Sequence, residues 1–122
     1  MSHKSHSAVA ARQRDHAPVF AALGDETRLS LLAKLSGGDR FSIARLTAGS
    51  GLTRQAITKH LRVLQKAKIV RCVNSGRESL FALDPGPLME LRDYIDLVSR
   101  QWDESLLRLK ALVESDGPDQ DS

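Results

Sequence analysis

The 122-residue sequence predicts a mainly α-helical, α+β domain with one two-stranded hairpin and a long closing helix, and three observations carry this. Apolar residues recur at three- and four-residue spacing over most of the chain, the period of a half-buried helix. Residues 69–83 read instead as two β-rich runs around a Gly-containing turn, the pattern of a hairpin. Between Pro87 and Glu114 no Gly or Pro interrupts the chain, so one helix can run through that stretch.

Residues 1–15 and 116–122 are polar and unpatterned, which predicts mobile tails around a single domain over 16–115. Pro18 suits the first turn of a short helix carrying Val19, Phe20 and Leu23, with Gly24 as a left-handed cap. Asp25 opens a second helix whose acidic first turn complements the helix dipole. Its apolar face is predicted to be Leu29, Leu32 and Leu35 with Leu31 alongside, and Gly37 and Gly38 end it.

Ser42 caps a third, short helix that stops at the turn over Gly49, Ser50 and Gly51. Thr53 caps a fourth, over about 54–67, in which Ile57, Leu61 and Leu64 recur at i, i+4, i+7 with Val63 beside them. Its other face is Arg54, Gln55, Thr58, Lys59, Arg62 and Lys66. Residues 69–73 and 79–83 follow as strands about a tip at 74–77, and Asp84 to Pro87 end the hairpin. In the last helix Leu88, Leu91, Ile95, Val98, Trp102, Leu106, Leu109 and Val113 form an apolar stripe. At about 1.5 Å per residue that helix reaches roughly 40 Å, longer than a domain this small can cover. A second copy related by a two-fold axis would let the stripe cover itself.

A short helix, a tight turn, a second helix with a polar face and a hairpin with a basic tip make the order of a winged helix-turn-helix, here with a two-stranded wing and a long C-terminal dimerisation helix. Charge follows the same division. Residues 1–40 carry +2, residues 41–83 carry +7 with Glu78 the sole acidic residue, and residues 84–122 carry −6, within a net +3. The basic third suits a polyanion and the acidic third would avoid one. A major-groove helix needs long polar side chains, and Arg54, Gln55, Thr58, Lys59, His60 and Arg62 supply them, with Arg77 as the wing contact. Gln55 suits adenine, and the cations suit guanine or phosphate. For Arg77 the plainer alternative is a surface arginine paired with Glu78. His60 has no metal-ligand partner at helical spacing, which leaves a hydrogen bond to phosphate or to the domain's own backbone.

The same residues resemble a known family. Residues 20–29 (Phe20 followed by Ala, Ala, Leu, Gly, Asp, Glu, Thr, Arg and Leu29), the string from Leu52 through Thr58, Lys59, His60 and Leu61 to Leu64, and Gly76 and Arg77 before residues 80–83 are similar to bacterial ArsR/SmtB-type, arsenic-repressor-like winged-helix regulators. The resemblance covers about residues 16–114. It implies a homodimer built through the first and last helices, binding a palindromic DNA operator and blocking transcription until released. Phe20, Leu91, Ile95, Val98, Trp102, Leu106 and Leu109 are then the dimerisation residues. Metal-sensing members carry a Cys-x-Cys pair before the turn, or His and carboxylate ligands on the terminal helix. This chain has no Cys or His before the turn and no His on the terminal helix, so the resemblance is to the non-metal-sensing subgroup and no metal or other cofactor is expected. Lys68 stands where the family commonly has Gly; a positive φ there would cost a Lys on the order of 1 kcal/mol.

The remaining expectations are mostly negative. One cysteine excludes a disulfide framework, and alternation along the strand puts Cys72 inward beside Val70. His3, His6 and His16 read as polar filler of the tail, and Trp102 as an anchor of the dimer or core. Neither a membrane span nor a secretory leader is visible, which predicts a cytoplasmic protein, nucleoid-associated when bound to DNA. No phosphate-cradling Gly loop or nucleophile–base pair marks an enzyme. The sequence names no effector and no operator. The rival function is a winged-helix protein-interaction module that has lost DNA binding; a +7 central segment argues against it.

Overall fold

In the computed structural model, the backbone is described for residues 2–120 and the side chains for residues 13–115. The elements run α1 (Ser2–Leu23), α2 (Glu26–Leu35), β1 (Phe41–Ser42), α3 (Ile43–Thr47), α4 (Arg54–Lys66), β2 (Val70–Ser75), β3 (Glu78–Leu83) and α5 (Pro85–Gln120). Both limits of the expected 16–115 domain fall inside helices. α1 starts at Ser2 rather than Pro18, and the Ala-rich run before Pro18 contains strong helix formers such as Ala10, Ala11 and Arg12. The end of the expected acidic tail, residues 121–122, lies outside the described residues, as do the side chains of His3 and His6. Packing divides the chain into one unit, Met1–Leu91, and a second, Arg92–Ser122.

The caps of the first unit were legible. Asp25 accepts the Arg28 backbone N–H at 3.0 Å, Ser42 that of Arg45 at 3.2 Å, and Thr53 that of Ala56 at 3.1 Å, so α2, α3 and α4 each begin on a side-chain oxygen. Gly24 is not left-handed. α1 closes tightly instead, with Gly24 N–H donating to the Ala21 carbonyl at 3.2 Å and Asp25 N–H to that of Leu23 at 2.8 Å. At α5 the Asp84 carboxylate accepts the Gly86 N–H at 3.1 Å and Pro85 takes the first helical position, so the helix starts where the hairpin was expected to end.

The core of the first unit gathers Val19 and Ala22 of α1, Leu31, Leu32 and Leu35 of α2, Leu46 of α3, Ile57, Leu61 and Leu64 of α4, then Ile69, Val70, Phe81 and Leu91. On α2 the buried face is Leu31, Leu32 and Leu35, whereas Leu29 is exposed: leucines at i, i+3, i+6 drift about 120° around the helix, and only the later ones reach the core. The sheet has three strands in the order β1-β3-β2. β1, pairing Phe41 with Phe81 and Ser42 with Leu80, is two residues long and left no periodic signal in the sequence.

The wing turns tightly at Gly76 and Arg77, since Ser75 pairs with Glu78. Gly76 takes φ 63°, which the two-residue turn requires at its first position. Lys68 takes φ 64°, so the chain does hold a lysine in left-handed backbone between α4 and β2. Cys72 is exposed, not buried with Val70. It shares a face with Val70 and pairs with Phe81, but β2 is an edge strand of the sheet.

Candidate nucleic-acid interface

α3, the turn after it and α4 make the helix-turn-helix, and β2 and β3 make the wing. The polarity of α4 is complete. Ile57, Leu61 and Leu64 are at most 1% exposed, while Arg54, Gln55, Lys59, Arg62 and Lys66 are all exposed. At 100° per residue, Gln55, Lys59, Arg62 and Lys66 fall in one row opposite the buried stripe, and Arg54 and Thr58 flank it. Lys66 was not singled out as a site residue from the sequence, although it completes this row.

Thr58 is half-buried, and its hydroxyl donates to the Arg54 carbonyl at 2.7 Å, bonding back along the helix. His60 departs from the expected set. Its Nδ1 lies 3.2 Å from the Arg28 guanidinium and 3.6 Å from Asp25 Oδ2, so the ring is turned toward the start of α2. The contact to Arg28 needs Nδ1 as acceptor, and the contact to Asp25 needs a protonated ring. Its Nδ1 partners are thus side chains, not backbone groups.

Arg28 is the residue that sequence reasoning missed. Its guanidinium also donates to the carbonyls of Ala22 and, at 3.3 Å, Ala21, satisfying the end of α1. One side chain therefore joins the C-terminal end of α1 and the N-terminal end of α2 to the recognition helix. Asp25 anchors the same cluster. Its carboxyl is held below the ordinary aspartate value, chiefly by the Arg28 backbone N–H, with the His60 and Arg28 side chains adding to this and desolvation opposing it. The acidic start of α2 was visible in the sequence; the contact to His60, 32 residues from Arg28, had no local signature.

Arg77 is exposed at the wing tip, and among the described residues it forms no ion pair with Glu78. Of the expected dimerisation residues, Phe20 and Ile95 are about two-fifths exposed, and Trp102, Leu106 and Leu109 are more than half exposed. Val98 is half-buried, and Leu91 belongs to the core of the first unit. Trp102 is therefore not a core residue of its own chain. Among the described residues, no His, Cys, Asp or Glu cluster of three or more could hold a metal ion. No described helix is long and apolar enough to cross a membrane.

Comparisons with known proteins agree with this geometry. A helix-turn-helix domain family matches residues 23–73. The HTH-type transcriptional regulator Rv2034 of Mycobacterium tuberculosis is 32% identical over 100 residues, 82% of this chain and 90% of that protein. An ArsR-like transcriptional regulator from Rhodococcus sp. RHA1 superposes with a TM-score of 0.72 at 33% identity, covering 84% of this chain and 95% of the other. A homodimeric winged helix-turn-helix DNA-binding domain from Mycobacterium bovis, described as a possible ArsR-family regulator, shares the fold at a TM-score of 0.60 and 20% identity, over 75% and 84% of the two chains.

Proposed function

The chain belongs to the ArsR-like family of winged helix-turn-helix, DNA-binding transcriptional regulators, and from that premise we propose that it is a homodimeric repressor acting on an inverted-repeat operator. The observation that carries this reading is the row Gln55, Lys59, Arg62 and Lys66, exposed on the face of α4 opposite its buried stripe. A helix about 10–12 Å across fits the major groove, where Gln55 can bridge adenine N6 and N7. Arg54, Lys59 and Arg62 meet guanine or phosphate, Thr58 lines the edge of the face, and Arg77 on the wing meets the adjoining backbone. His60 acts through Arg28, holding α4 in place.

Dimerisation is supported by the apolar stripe of α5 from Ile95 to Leu109, extended by Leu112 and Val113, and by the homodimeric state of the Mycobacterium bovis domain of the same fold. Two recognition helices related by a two-fold axis would enter major grooves about 34 Å apart, hence the inverted repeat. If each protomer neutralises about four phosphates, log affinity falls with log salt at a slope near −7. The protein acts in the cytoplasm, on the nucleoid.

The test is a gel shift of the purified protein on the DNA upstream of its own coding sequence, paired with a transcription assay on that template. Binding with reduced transcript supports the repressor; binding with increased transcript retains the regulator and removes repression. No binding to any duplex favours the protein-interaction alternative. Gln55→Ala should relax preference at one base step, and a sequence profile identical to wild type would remove Gln55 from the reading set.

A further inference from the structure

A cavity of about 250 Å³ opens between the wing and the start of the helix-turn-helix, lined by Ser42, Ala44, Arg54, Arg77, Glu78 and Ser79 among others. Two arginines from different elements, the first residue of α4 and the tip of the wing, meet at this one cleft. Their guanidiniums are uncommitted: among the described residues neither takes part in a hydrogen bond or ion pair. Arg28 and Arg45 differ, since Arg28 bonds two carbonyls and His60, and Arg45 lies over the Phe41 ring at 4.5 Å.

We propose that this cleft seats a single DNA-backbone phosphate, gripped by Arg54 and Arg77 together. The proposal rests on the DNA-binding reading above and deepens it. Three features fit a phosphate. Arg54 lies 100° around α4 from Gln55, off the row that faces the groove floor. The guanidinium fork matches the paired oxygens of a phosphodiester. The charged groups at the cleft, two guanidiniums and the Glu78 carboxylate, sum to one net positive charge, the complement of one phosphodiester anion. Ser42, which also lines the cleft, is buried with its oxygen already accepting the Arg45 N–H. The consequence is that at this phosphate wing and recognition helix do not make separate backbone contacts. They share one, which ties the depth of α4 in the groove to the position of the wing.

The test uses the full chain and the upstream duplex that it binds, with a neutral methylphosphonate placed at each backbone position in turn. At the cleft's phosphate, the substitution should weaken wild-type binding about tenfold or more. Arg54→Ala and Arg77→Ala should each weaken binding to the unmodified duplex, and both should become insensitive to the methylphosphonate at that same position. If the two variants lose sensitivity at different positions, or neither does at any, the shared cleft is overturned while DNA binding stands. A wild-type protein that binds no duplex overturns the DNA-binding reading, and the cleft with it.

Discussion

α4 and the far half of α5 carry the same kind of apolar stripe and meet opposite fates. In α4, Ile57, Leu61 and Leu64 are at most 1% exposed. In α5, Trp102, Leu106, Leu109 and Val113, at equal spacing, are 56–67% exposed. Periodicity of three and four residues specifies a helix with one apolar face in both. It does not specify what covers that face. α4 is closed by α2, α3 and the sheet of its own unit, and its opposite face is thereby left for a partner that must be polar and anionic. The stripe on α5 is itself the unpartnered surface, larger than the scattered apolar residues a monomer ordinarily shows, and it calls for an apolar partner.

If that contrast is right, the two stripes respond differently to truncation. Leu61→Ala should produce the largest effect, a loss of about 2–5 kcal/mol in unfolding free energy, read by thermal or urea denaturation. An unchanged midpoint would mean that α4 is not held by its buried stripe. Trp102→Ala with Leu106→Ala should leave far-UV circular dichroism intact but weaken self-association by about 2 kcal/mol or more, read by sedimentation as a shift to monomer. Retained dimer at low concentration would show that the α5 stripe is not the interface.

Two smaller effects sharpen the description of the elements that hold α4. Lys68→Gly should stabilise the protein by about 0.5–1 kcal/mol, because glycine adopts the φ of 64° at the end of α4 without the lysine's steric cost. A loss of stability would mean that the lysine side chain offsets its strained backbone. Asp25 has a carboxyl pKa below that of the unfolded chain, so its ionisation stabilises the fold above the unfolded value near 4 and that contribution disappears as pH falls through the folded value. Asp25→Asn keeps a capping side chain and removes the titration. The fall in its melting temperature below about pH 4 should be shallower than that of wild type, and parallel curves would separate the Asp25 charge from the stability of the cluster.

Local chemistry was legible wherever a few neighbouring residues decide it. Ser42 and Thr53 cap the helices they were expected to cap, Asp25, expected in an acidic first turn, caps its helix instead, and the hairpin and the exposed row of α4 followed from spacing. Expectations went astray where distant segments compete. Cys72 alternates correctly yet is exposed on an edge strand, and Leu29 has the right period but is exposed. His60 sits on a basic helix, and it is Arg28, remote in sequence, that meets its Nδ1. Nothing within a few residues of any of these positions encodes which neighbour arrives.

The sequence by itself determined the helix periods, the caps, the hairpin and the concentration of positive charge in residues 41–83, because each depends on short-range backbone geometry or on composition. Only the tertiary structure decided that β1 adds a third strand, that Arg28 binds α1 to the recognition helix, that Lys68 stands at positive φ and that Arg54 and Arg77 face one cleft. Those features are meetings of groups far apart along the chain, and packing a single core selects them from many pairings that local preferences leave equally open.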